Sequence, residues 1–104
     1  MFKICFLNHG KVYEIFCEKV SGSDLSYGFI EARGLVFDSG DAVVIDPTEE
    51  RLREEFADVD VLHLPQHSVI RIEQVKKRGT SVIRDSKSGE KVTPLPLDGP
   101  RRKR

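Results

Sequence analysis

The chain lacks tryptophan altogether and carries one methionine and two cysteines among its 104 residues. Two cysteines, Cys5 and Cys17, are too few for a disulfide framework, and they read as ordinary buried thiols. Long apolar runs are missing as well. The longest, such as Ala42-Val43-Val44-Ile45, fall far short of the ~20 residues that a membrane-spanning helix needs. The segment Met1-Phe2-Lys3-Ile4 has none of the features of a secretory signal, so the expected location is cytoplasmic. Aromatic residues are absent after Phe56, which leaves the second half without platforms for stacking on single-stranded bases. The chain also contains no G-x-S-x-G elbow, no glycine-rich phosphate loop and no H-E-x-x-H pair.

What is present describes one soluble domain with a highly charged surface, 38% hydrophobic and 33% charged. The zero net charge conceals a division. Residues 1–75 hold seven Lys/Arg against fourteen Asp/Glu, whereas residues 76–104 hold ten against three. An acidic body is followed by a basic end, and only the latter would attract a phosphate backbone.

The first twenty residues pattern as a hairpin. Asn8-His9-Gly10-Lys11 supplies the turn, with His9 and Gly10 at its centre. That register sets Phe2 opposite Cys17, Ile4 opposite Ile15 and Phe6 opposite Tyr13, all apolar and all on one face. A slip of one residue would put Lys3 against Ile15 and break the wall. The same register places Cys5 and Cys17 on opposite faces, which argues against a bridge.

Ser21–Asp24 reads as a loop, and Leu25–Phe37 as a strand bent at Gly28 and Gly34. Ala42–Ile45 patterns as a fourth, fully covered strand. Asp46-Pro47-Thr48-Glu49 is the clearest helix start: Asp46 caps, Pro47 takes the first position, and Glu49 stands where a capping box wants it. Leu52 and Phe56 form the stripe that must dock on the sheet, leaving Glu49, Glu50, Arg51, Arg53, Glu54 and Glu55 to water. Val59–Leu64 and Val69–Val75 read as further strands, separated by a bend at Pro65-Gln66. Lys76–Gly79 reads as a turn, and Thr80–Arg84 as a short last strand.

The expectation is a mainly β (α+β) domain over residues 1–84: a small bent antiparallel sheet or an open barrel of the SH3 or Sm-like kind, with one short helix between strands four and five. Residues 85–104 read as a flexible basic tail containing Pro, Gly and Ser.

Four segments, in order, carry a resemblance: Met1–Ile15; Tyr27–Glu31 with Gly34–Phe37; Asp46–Glu50; and Leu64–Glu73. Together they resemble a family of small proteobacterial proteins catalogued as domain of unknown function 1820. The resemblance covers roughly residues 1–80 and implies a bacterial protein. It brings no activity, cofactor or catalytic residue with it.

His63 and His67 are four apart, but Pro65 lies between them, so the helical metal-binding spacing fails. A bend could still join them to Asp46 or His9 as a metal site. A nucleophile reading would need Ser68 beside His67, yet strand neighbours point to opposite faces. Arg71 and Glu73 share the outward face of a strand, as a solvated pair or as a recognition surface with Tyr27, Arg33 and His67. Lys76, Lys77 and Arg78, with Arg101, Arg102, Lys103 and Arg104, are the candidate nucleic-acid contacts. With no coherent catalytic set and no cofactor implied, the leading expectation is a non-enzymatic binding or adaptor module for a protein partner. Weak nucleic-acid association through the tail stands second, and a metal protein or hydrolase built on His63 and His67 third. Open sheet edges also allow a homo-oligomer.

Overall fold

The computed structural model describes residues 1–24, 27–37 and 46–92. Six strands form one antiparallel sheet: β1 (Phe2–Asn8), β2 (Lys11–Gly22), β3 (Phe29–Val36), β4 (Val61–Pro65), β5 (Val69–Gln74) and β6 (Val82–Asp85). A single α-helix, α1, spans Pro47–Glu55, and a 3-10 turn, Gln66–Ser68, joins β4 to β5. The hydrogen-bonded order is β4-β3-β2-β1-β5, with β6 beside the first half of β2.

The opening hairpin has the register its alternation demands. Phe2 faces Cys17, Ile4 faces Ile15 and Phe6 faces Tyr13. His9 at φ 54° and Gly10 at φ 75° both enter the left-handed region, as a two-residue turn matched to the strand twist requires. Ile4, Phe6, Tyr13, Ile15 and Cys17 are buried in one core cluster, with Phe2 packed at its margin. The rings of Phe6 and Tyr13 lie 5.4 Å apart.

Beyond Cys17 the inward set changes parity. Glu18 and Lys19 are both exposed, after which Val20 and its partner Ala32 join the core. The change falls at Gly34, whose φ of 67° bends β3 there. Further along, Leu64 of β4 is buried in the same cluster. The two end strands of the order, β4 and β5, are joined by three residues only. Since such a turn rises only ~2 Å per residue, the sheet must curl until its ends are neighbours. They do not pair with one another, so the sheet is open and not closed into a barrel.

Helix α1 covers the concave face. Asp46 Oδ1 accepts the Thr48 and Glu49 amides at 2.9 and 3.2 Å, Pro47 opens the helix, and Leu52 is fully buried. The Phe56 ring stacks on Phe37, 6.2 Å away.

Three expectations need correction. Among the described residues the helix follows the third strand and precedes the fourth; the strand expected at Ala42–Ile45 lies outside the described residues. Glu49 does not face water. It is buried, and its carboxylate accepts the backbone N–H of Ser81, tying the helix start to the entry of β6. The fold also passes the boundary drawn at Arg84. The chain turns at Asp85, whose Oδ1 accepts the Lys87 and Ser88 amides, and Lys91 returns to bridge Arg84. Val92 then donates to the Ile83 carbonyl at 2.7 Å and packs on the core.

The opposite face has a smaller covered patch. Phe16, Cys5 and Val82 are buried there, and Gly79 lies so close over the Phe16 ring that a Cβ would stand 3.1 Å from Cζ. Beside them Glu14 receives Arg84 Nε at 2.8 Å and Lys3 Nζ at 3.4 Å. Both thiols are free and buried. Burial pushes Cys5 up and Cys17 up to about 11, so neither is a ready nucleophile at neutral pH.

Candidate functional site

The far end of the β2–β3 hairpin gathers the polar groups that the core excludes. In β2, Lys19, Ser21 and Gly22 lie past the parity change, and the antiparallel pairing brings Glu31 opposite Ser21 and Arg33 opposite Lys19. On the other side of β3, Glu31 faces His63 of β4.

Glu31 is buried although charged. Its carboxylate accepts the Asp24 amide at 3.2 Å and Arg33 Nε at 2.9 Å. The Asp24 N–H, with help from Arg33 and against the effect of burial, holds the Glu31 carboxyl below the usual carboxylate range. Ser23 Oγ and His63 Nδ1 share a hydrogen bond of 2.8 Å, which fastens the loop after β2 to β4. The Ser23 amide donates to the Phe29 carbonyl, and the Gln66 amide donates to Gly28 at 2.7 Å. Ser23, the residues that open β3 and the 3-10 turn are thereby joined by hydrogen bonds.

Two clefts flank this end and share Val20, Ser21 and Gly22 as a common wall. The first, of about 470 Å³, is lined by the charged residues Lys19, Asp24, Glu31 and Arg33 together with Phe2. The second, of about 420 Å³, has an apolar lining of Val20, Phe29, Ile30 and Ile72, with Gln66 and Tyr27 at its rim. Tyr27 is completely exposed. This second cleft lies on the side where the curled sheet stays open, between the hairpin end and β5.

The residues singled out by sequence fall in different places. His63 is committed to Ser23, and His67 sits exposed in the 3-10 turn. Asp46 caps α1 and His9 occupies the hairpin turn. Among the described residues no group of three or more His, Cys, Asp or Glu is arranged to hold a metal ion. Ser68 Oγ donates to the Pro65 carbonyl at 2.8 Å. Of the recognition-surface candidates, Tyr27 and Arg33 line separate clefts, while Arg71 and Glu73 pair with each other at 3.3 Å. Lys76, Lys77 and Arg78 are exposed in the link after β5, and Arg101, Arg102, Lys103 and Arg104 lie outside the described residues.

Sequence reasoning missed Glu31 as a buried acid and Ser23 as the partner of His63. The spacing of Glu31 and Arg33, two apart on one strand face, was the available signal. The Ser23–His63 bond joins residues 40 apart, which no local pattern announces.

This geometry defines a small open-sheet protein with two clefts at its hairpin end, and among the described residues no helix is long and apolar enough to cross a membrane. The chain belongs to the family described as domain of unknown function (DUF1820), whose model matches residues 1–97. It matches no curated protein and no solved structure.

Proposed function

We propose that the chain is a non-enzymatic binding module whose partner is a protein, taken at the apolar cleft beside Tyr27. The observation that carries this reading is the complete exposure of the Tyr27 side chain next to a cleft lined by Val20, Phe29, Ile30 and Ile72. Tyrosine is a favoured anchor at protein interfaces, since its ring offers large contact area at little cost in conformational entropy. The surrounding backbone is held by the Glu31, Ser23–His63 and Gln66 bonds, so little ordering is needed on binding.

The test is capture from cell extract on immobilised full-length chain, with and without nuclease, using wild type and Tyr27→Ala. Protein retained after nuclease by wild type and lost by Tyr27→Ala supports the reading. Equal capture by both variants overturns the site. Recovery of RNA or DNA that nuclease abolishes and Tyr27→Ala leaves unchanged transfers the function to the basic groups Lys76, Lys77, Arg78 and Arg101–Arg104.

A further inference from the structure

We propose that β5 pairs with β5 of a second copy, giving a two-fold symmetric dimer centred on Ile72.

Strand β5 ends the hydrogen-bonded order and is paired by β1 alone, so its outer edge has no strand partner among the described residues. The Val75 amide donates to the Met1 carbonyl at 3.0 Å. Alternation from that bond turns the backbone groups of Glu73 and Arg71 toward β1, and those of Ile72 and Gln74 outward. The pairing slips at Cys5/Phe6, which leaves Ile70 as the extra residue of a bulge. Ile70 and Ile72 are exposed to 60% and 38%. An edge with outward backbone groups and two exposed isoleucines is a template for another strand.

Charge selects the occupant and the register. A two-fold axis normal to the sheet pairs the strands antiparallel and keeps like faces together. Centred on Arg71, such a pair sets Arg71 against its own copy; centred on Glu73, it sets the two glutamates together. Centred on Ile72, it sets Arg71 opposite Glu73 of the second copy, and Glu73 opposite its Arg71, with Ile72 on Ile72 at the axis. The Arg–Glu positions are then the closely spaced pairs of the ladder, where side chains approach most nearly. Within one chain Arg71 and Glu73 already pair at 3.3 Å, but their side chains stay 64% and 39% exposed, so each can also meet its opposite charge on the second copy. Guarding charges of one sign would repel a second copy; these complement it. The contact is one short strand deep, well below the area of a standard interface, so the dimer is weak and concentration-dependent.

The experiment is sedimentation equilibrium of the full-length chain over a wide concentration range, with circular dichroism to verify folding. Ile72 also lines the apolar cleft beside Tyr27, so the dimer and a partner held at that cleft compete for one wall; Arg71 and Glu73 line neither cleft, so their reversal tests the dimer without changing a residue of the Tyr27 surface. Wild type should dimerise. Arg71→Glu alone and Glu73→Arg alone should each weaken dimerisation by about tenfold or more, since two attractive pairs become repulsive. The two single variants mixed together should recover it as heterodimers, and the double reversal should recover it as homodimers. A chain that stays monomeric throughout, or a dimer indifferent to both reversals, overturns the proposal.

Discussion

Glu14 shows how a charged residue can be built into a covered sheet face. Burial works against its ionisation, but the hydrogen bond from Arg84 and the charge of Lys3 outweigh it, and its carboxyl is held below the usual range. A carboxyl depressed in the folded state stabilises the fold above the unfolded-state value, about pH 4.3 for glutamate, and that stabilisation is lost as pH falls through the folded value. Glu14→Gln should therefore be less stable than wild type at neutral pH, with the difference shrinking as the medium becomes acid. Urea midpoints measured across pH test this; a difference independent of pH would mean that Glu14 acts through packing alone. At this scale the sequence is only partly legible. Asp46 was readable as a cap because its partners are two and three residues away. Glu49 is not legible as a buried acid because its partner, Ser81, is 32 residues distant.

At the scale of elements, local patterns spoke clearly wherever they repeated. Alternation in β1 and β2, joined by His9-Gly10, defines the hairpin register, because a slip of one residue would move the three apolar side chains of one strand away from the three of the other. The parity change in β2 was not legible, since a run such as Glu18-Lys19 looks like the end of a strand and not its midpoint. The structural reason is Gly34 opposite. Its φ of 67° suits glycine, and a Cβ there would stand 3.1 Å from Cβ, Cγ and Oε1 of Glu18. Gly34→Ala should thus cost about 1–2 kcal/mol from the left-handed backbone, with crowding added. The shift of the urea midpoint measures it, and an unchanged midpoint would show that the bend needs no glycine. The strands that end the order are legible as strands, but their neighbours in space are not, because pairing across the sheet leaves no periodic trace.

For the molecule as a whole, the sequence alone suggests an earlier limit to the fold than the structure shows, because Asp85–Glu90 has the polar, Gly- and Ser-bearing composition of a tail. Composition of that kind also describes a tight turn, and here it makes one. Asp85 accepts two amides ahead of it, the Gly89 and Glu90 backbones bond back to Asp85, and Arg84 Nη1 donates to the Gly89 carbonyl at 3.1 Å. The returning strand end puts Val92 against the core, where its carbonyl also accepts the Thr48 hydroxyl at 3.4 Å. Helix start, β6 and the chain after it therefore meet at one place, through Thr48, Glu49, Ser81, Ile83 and Val92. A chain ended at Arg84 loses the Val92 side chain and the hydrogen bonds of the return, while a chain ended at Val92 keeps them. Partial burial of one valine and a few hydrogen bonds at about 1 kcal/mol each set the difference at about 2–3 kcal/mol. Paired urea titrations of the two chains should show the shorter with the lower midpoint; coincident curves would place the limit of the fold at Arg84, one residue short of the end of β6.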